Sequence, residues 1–376
     1  MADDPGLLRH RGCTRVQLLW RRASRRGGPV PVGGPMEATK TDQNTILEIQ
    51  DLKVSFTLPE RTVNAVNGVS LRVGQRQSVG VVGESGCGKS VTSLAVLRLL
   101  ARNARVDGGR IMFRRPQDNQ MRDLLSYKSN GPEMREIRGG EIAMIFQEPM
   151  TAFSPVHRIG DQITDVMLLH GETSREEART RAITLMKQVG ITSAADRIDD
   201  YTFQFSGGMR QRAMIAMALA CNPSLLIADE PTTALDVTIQ AQVIEQIKRV
   251  QDEFGLALML ITHDLGVIAQ TVDYVYVMYL GRVVEHGPVE AIFADPKHPY
   301  TIDLLRSIPR ATGRRGRLNV IRGSVPNYLP SGCPFHTRCT RVVGDQCMTR
   351  WPAETTFDAG HGVRCFLYNR DHGDTE

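Results

Sequence analysis

The chain has 376 residues, 41% of them hydrophobic and 23% charged, with a formal net charge of +5 and seven cysteines. That composition is globular and long enough for one large domain with an appendage, or two domains. It excludes a helical membrane span, since no run of about 18 apolar residues occurs, and its mild charge, much of it in an Arg-rich first segment, makes no case for nucleic acid as a partner.

No secretory signal is visible, because Val16–Trp20 is too short for the apolar region of one. The expected compartment is the cytosol, where thiols stay reduced. Met1–Pro35 is rich in Arg, Gly and Pro, with too little patterned apolar surface to pack. It is expected to be part of a disordered basic extension over 1–44, with Met36 as an alternative start and an arm touching anionic lipid as an alternative reading. From Ile46 the texture changes. Ile46–Phe56 and Val69–Val73 alternate like strands, with a turn near Gly74. Phe56 is either an aromatic that stacks on adenine or a core residue at a strand end.

Gln77–Val82 is apolar enough for a buried strand, and Val91–Leu100 repeats apolar positions at helical spacing. Between them stands Gly83-Glu84-Ser85-Gly86-Cys87-Gly88-Lys89-Ser90, which fits the phosphate-loop (Walker A) pattern in its required strand–loop–helix setting. Such a loop curls successive N–H groups onto one anion, and the helix that begins around Val91 adds its positive end. Lys89 is expected to reach the β- and γ-phosphates of a nucleotide, and Ser90 to ligate Mg²⁺. Cys87, inside the loop, predicts sensitivity to thiol reagents.

Arg110–Phe113 and Glu141–Phe146 look like strands on either side of a polar insertion, Arg115–Asn130. Gln147 follows the second strand end, where an amide can face a metal with its oxygen and water or phosphate with its NH₂. Asp161–His170 and Ser174–Val189 have helical spacing, with Ser174 and Glu177 as a capping box and Gly190 as a stop. Phe205–Arg212 opens a helix running to about Cys221. Its Ser206-Gly207-Gly208 start offers a hydroxyl, free N–H groups and the positive end of the dipole. One nucleotide does not need two such cradles, so this second anion site is expected to close on nucleotide held by a partner subunit.

Ser224–Glu230 places Asp229 and Glu230 directly after four apolar residues. Asp229 is expected to hold Mg²⁺ and its water, and Glu230, pointing elsewhere, to act as general base on the attacking water. Val237–Phe254 is an amphipathic helix, and Leu256–Thr262 is a buried strand ending in His263, at the sheet edge where α/β proteins bind ligands. His263 there is expected to sense the γ-phosphate. Tyr274–Tyr279 and Arg282–His286 close the sheet, and Thr301–Ser307 is a last helix.

Taken together, residues from about Ile46 to Ile308 resemble the nucleotide-binding subunit of ABC transporters. The resemblance rests on the Walker A loop, Gln147 of the Q-loop, the signature Ser206-Gly207-Gly208-Met209-Arg210-Gln211, Walker B at Leu225–Asp229, Glu230, the D-loop Ala234-Leu235-Asp236 and the switch His263. It implies an α/β P-loop NTPase core of ABC type with an antiparallel β subdomain, an inserted helical subdomain at about 150–222 facing a membrane partner, and a small irregular Cys-rich C-terminal domain over 309–376. It also implies an ATPase in which Gly83–Val91, Gln147 and Asp229 bind ATP and Mg²⁺, and Ser206–Gly208 and Asp236 complete the site of a second cassette. Phe146–Met150, Phe205–Arg212 and Ser331–Cys339 are similar to the dipeptide/oligopeptide branch, although Ser154-Pro155 stands where that branch commonly has Asn-Pro. That branch implies import of peptides from the cytoplasmic face of the inner membrane, with a second ATPase subunit, two permease subunits and an extracytoplasmic solute-binding protein. Alternatives are the same machinery importing another solute, or a soluble ABC ATPase outside transport.

Cys333, Cys339, Cys347 and Cys365 fall at spacings of five, seven and seventeen intervening residues. Disulfides are disfavoured in a reducing compartment and unligated thiols are the alternative, but a metal site is expected, since four thiolates suit Zn²⁺ or a [4Fe–4S] cluster. The absence of C-x₂-C pairs and the resembling subunits both favour the cluster, as a structural brace for a loop-rich tail. His336 and His361 are alternative ligands; Cys13, Cys87 and Cys221 look unrelated.

Overall fold

The computed structural model describes residues 43–147, 152–171, 174–232, 237–308 and 321–369. The expected N-terminal extension, except its last two residues, and Ala234–Asp236 of the D-loop lie outside them.

The core is an eight-stranded sheet of order β11-β12-β10-β9-β3-β8-β7-β6. Its strands are β3 (Ser78–Val82), β6 (Ile142–Ile145), β7 (Leu225–Asp229), β8 (Ala257–Thr262), β9 (Tyr274–Tyr279), β10 (Arg282–Pro288), β11 (Thr355–Phe357) and β12 (His361–Val363). The strands from β6 to β9 run parallel, and β9, β10, β12 and β11 continue antiparallel. Every residue of β3, β7 and β8 is buried, the unbroken apolar run expected of parallel strands covered on both faces. Because side chains alternate, each strand feeds two cores. Leu226, Ala228, Leu258, Leu260, Val275 and Val277 share one; Leu225, Ile227, Met259, Ile261, Tyr276 and Met278 share the other.

The second core is closed by a four-stranded antiparallel sheet, order β2-β1-β4-β5, from β1 (Thr45–Thr57), β2 (Thr62–Gly74), β4 (Ala104–Arg114) and β5 (Met121–Asp123). Here the expected strands were too short. Gly68, with φ of 89°, and the register shifts between β1 and β2 break the alternation that marks a strand in sequence. The polar insertion is not wholly a loop, since β5 pairs with β4 inside it.

Helix α1 (Lys89–Val96) follows the phosphate loop. Helices α2 (Ile159–His170), α3 (Arg175–Gln188) and α4 (Gly207–Ala218) form the helical block, and α5 (Val237–Phe254) follows β7. Ser174 and Glu177 make the capping box that the sequence predicts; losing such a cap costs about 1 kcal/mol. Helix α6 (Leu265–Thr271) is capped by Asp264, whose carboxylate accepts from the N–H groups of Gly266 and Val267.

The described part of the tail does not stand as a separate domain. β12 pairs with β10, so residues 355–363 extend the main sheet. Beside this junction, Glu285 is fully buried and accepts from the N–H groups of Lys297 and His298 and bonds the ring of His361 at 2.7 Å. His298, which caps α7 (Pro299–Arg306), accepts from the Tyr300 N–H through Nδ1, and its buried Nε2 has no hydrogen-bond partner among the described residues. Burial pushes the His298 imidazole down to about 4, against the pull of the Glu285 charge. Above pH 6.5 the ring is neutral folded or unfolded. As pH falls from 6.5 to 4, the unfolded chain takes up a proton that the folded one refuses, and stability drops by up to roughly 3 kcal/mol. Urea melts at pH 7 and 4.5 should show this loss shrinking by that amount in His298→Gln; an unchanged pH dependence would refute the assignment.

Candidate functional site

The phosphate loop is bent by glycines, and at two of them, Gly83 and Gly88, there is no room for a side chain. Gly88, at φ 95°, lies so close to Ala65 that a Cβ would meet its carbonyl oxygen at 2.3 Å, and at Gly83 a Cβ would meet the Met278 oxygen at 2.2 Å. Lys89 is 4% exposed, and its Nζ donates to the carbonyls of Gly83 (2.9 Å) and Glu84 (3.1 Å). Its ammonium is thus folded back over the loop, where a polyphosphate offers charged acceptors in exchange. Val91 packs half-buried against the core behind the loop.

Ser90 Oγ donates to Asp229 Oδ1 at 3.0 Å. Burial pushes the Asp229 carboxyl up to about 6, the Ser90 hydrogen bond opposes that shift, and the Glu230 charge adds to it. A hydroxyl and a carboxylate at this spacing are oxygen donors of the kind Mg²⁺ takes, and the buried carboxylate wants a counter-charge. The residues present therefore fit Mg²⁺.

Glu230 follows β7 with φ of 44°, the left-handed region, and its N–H donates to Ile261. For a residue with a side chain this costs on the order of 1 kcal/mol. The turn is what separates the two carboxylates. Asp229 stays with Ser90, while Glu230 swings to Gln147 (Nε2–Oε2 3.2 Å) and His263 (Nδ1–Oε1 3.5 Å). Three residues from three strand ends, each named from the sequence, thus meet around one carboxylate. In this arrangement Gln147 is hydrogen-bonded to the Glu230 side and not to the Ser90–Asp229 pair.

At the head of α4, Ser206 caps the helix by accepting from Met209. Ser206 and Gly207 are exposed. A Cβ on Gly207 would meet nothing within 4 Å, and one on Gly208 only Ile239 at 3.4 Å. This chain's own packing does not require either glycine. Gln211, fully buried, donates to the Pro231 carbonyl at 2.5 Å and so ties α4 to the loop after β7.

Two expectations change. Cys87 is buried, and burial pushes its thiol up despite the adjacent Lys89, so it is a poor target for thiol reagents. Cys333, Cys347 and Cys365 are buried and Cys339 partly so; burial pushes Cys333 up to about 12 and Cys365 to about 11, with neighbouring cysteines adding to each shift. Yet no three His, Cys, Asp or Glu side chains among the described residues are grouped to hold a metal ion, so neither the expected [4Fe–4S] cluster nor the Zn²⁺ alternative, with or without His336 and His361, finds support in this arrangement. His361 is taken up by Glu285 and His336 by the Cys333 carbonyl. Phe56 lies on β1 opposite Val63 and Ala104, packed against the antiparallel sheet's core.

Sequence reasoning missed the partners of Glu84. Arg338 of the tail holds its carboxylate, and Tyr300 of α7 accepts from its N–H at 2.8 Å. The similarity of Ser331–Cys339 to one branch marked the segment but not its contact.

The ABC transporter family model matches residues 66–233, and the oligopeptide/dipeptide transporter C-terminal region matches 284–347. The chain is 47% identical over 334 residues to the oligopeptide transport ATP-binding protein AppD of Bacillus subtilis, covering 87% of this chain and 98% of that one. It is 49% identical to a putative peptide import ATP-binding protein of Brucella melitensis (86% and 97% covered). With the dipeptide transport ATP-binding protein DppD of Bacillus subtilis the identity is 46% (86% and 95%). The fold is shared with the dimeric cassette MJ0796 bound to ADP and Pi, at a TM-score of 0.56 and 24% identity, over 65% of this chain and 99% of that one.

Proposed function

The chain belongs to the ABC transporter family as an ATP-binding, ATP-hydrolysing subunit, and from that premise we propose that it powers import of di- or oligopeptides through separate membrane subunits. The peptide reading is supported by relatives named for oligopeptide transport, dipeptide transport and peptide import, matched over nearly their whole length, and by the match of 284–347 to the oligopeptide/dipeptide transporter C-terminal region.

In the proposed mechanism Lys89 and the loop amides bind the phosphates, and Ser90 and Asp229 hold Mg²⁺. Held there by Ser90 and Asp229, Mg²⁺ would supply charge neutralisation to the phosphates. Glu230 takes the proton of the attacking water, with Gln147 and His263 orienting that carboxylate and the water. The observation that carries the reading is the convergence of Gln147, Glu230 and His263 at the strand ends beside Asp229. Ser206–Gly208 completes the pocket of a second cassette. An exposed Gly207 and a half-buried Gly208 at a helix start, neither required by this chain's own packing, support that role. Asp236, in the D-loop, is assigned to the same interface from sequence alone, and Phe56 to the adenine.

No helix among the described residues is long and apolar enough to cross a membrane. The helical block, in which Val156, Leu169 and Phe203 are 74%, 80% and 70% exposed, is assigned to the permease subunits at the cytoplasmic face of the membrane from the family resemblance. The four tail cysteines are assigned to a [4Fe–4S] cluster. That assignment rests on the four cysteines of the sequence and their resemblance to the oligopeptide branch.

The test is purification from the native host without oxygen. We expect two permease subunits to come with the chain, ATPase activity raised by a peptide-loaded binding protein, and iron with acid-labile sulfide. Stimulation by a different class of solute would replace the peptide assignment; iron-free protein would end the cluster.

A further inference from the structure

The phosphate loop is gripped by the tail. Arg338 is buried, its side chain 5% exposed, and its guanidinium fork meets Glu84 with both nitrogens, Nη1–Oε2 at 2.6 Å and Nη2–Oε1 at 3.1 Å. Two further donors are also used. Nε donates to the Arg322 carbonyl at 2.9 Å, and Nη1 also reaches the Tyr279 hydroxyl at 3.3 Å. The fork is seated by Phe335, three residues earlier and fully buried, which packs against Tyr279 and Tyr300 at ring separations of 5.3 Å each. Glu84 is thus fixed at three points: its carboxylate by Arg338, its N–H by Tyr300, and its carbonyl by Lys89.

A polyphosphate binding beside Glu84 brings several negative charges to a loop that already carries one. Left unpaired, that carboxylate repels the ligand and competes for the Lys89 ammonium. A bidentate guanidinium removes both problems and holds the loop in one shape before nucleotide arrives.

We propose that Arg338 is a positioning residue for the nucleotide site, neutralising and fixing Glu84 so that the phosphate loop presents Lys89 to ATP. The proposal rests on the phosphate-loop reading above. It makes the tail part of the nucleotide site, and the order of the Cys333–Cys339 turn is then felt at the phosphates.

The test is equilibrium binding of the fluorescent nucleotide mant-ATP to the full-length chain. Arg338→Gln should weaken binding about tenfold. Arg338→Lys, which keeps the charge and loses the fork, should weaken it about threefold. The decisive variant is Glu84→Gln combined with Arg338→Gln. With no carboxylate left to neutralise, affinity should return to within about threefold of the parent. A merely structural role would lower the melting temperature of both Arg338→Gln proteins and give no such rescue. Parental affinity in Arg338→Gln, or a double variant no better than the single one, overturns the proposal. Where Arg338→Gln fails to fold, Arg338→Lys decides, and parental affinity there overturns it equally. Lys89→Ala separates the premise: if it binds mant-ATP like the parent, the phosphate-loop reading falls and the proposal with it. If it loses binding while Arg338→Gln does not, only the proposal falls.

Discussion

Glu230→Gln should lower the kcat for ATP in the assembled transporter by a factor between about a hundred and ten thousand, the usual worth of a general base, while ATP binding stays at or above the parental level. Gln is isosteric and can keep the contacts with Gln147 and His263, but it cannot take a proton from water. It also removes a negative charge next to Asp229, whose carboxyl the Glu230 charge helps push up, so binding has no electrostatic reason to weaken. The backbone at this position is already left-handed, and Gln tolerates that no worse than Glu. With hydrolysis blocked and binding intact, two cassettes should stay closed on ATP and run as a stable dimer on a sizing column. Parental turnover in Glu230→Gln would remove the base from the mechanism.

Gly208→Asp should abolish turnover in the assembled transporter, by about a hundredfold or more, and leave nucleotide affinity of the isolated chain within about twofold of the parent. The separation of the two effects is the point. A Cβ at Gly208 meets only Ile239, at ordinary contact distance, so the chain folds and its own phosphate loop is untouched. A carboxylate at this helix start instead faces whatever anion the exposed Ser206 and Gly207 amides receive. If that anion belongs to the nucleotide of a second cassette, only the pair is crippled. Should the strictly monomeric parent hydrolyse ATP at full rate, and Gly208→Asp with it, the shared pocket does not exist.

How much of this was legible in the sequence depended on distance along the chain. The phosphate loop, Asp229, Glu230 and His263 stand at the ends of apolar runs, and a strand end announces itself locally by composition. That Gln147, Glu230 and His263 meet follows from strand order, because β6, β7 and β8 are neighbours and parallel. What local patterning could not carry was contact between distant segments. Arg338 and Glu84 are 254 positions apart, and although each lies in a motif named from the sequence, nothing in either motif points to the other. The three-residue strands β11 and β12 are too short for alternation to register, so the tail looked separate from the sheet it joins. Cys87 was misjudged for the related reason that burial is a property of the neighbours, here Gly83 and the loop's own fold, and no motif encodes it.

The junction of β10 with β12 has one more consequence. β10 would otherwise end the sheet with a bare row of N–H and C=O groups, a template on which a second molecule could zip. The pairs Glu285–Val363 and His286–Gly362 occupy that margin, and β11 beyond them is only three residues long, too brief to recruit a stranger. A protein cut short after residue 308 would therefore be prone to clump through its sheet, whatever else it had lost.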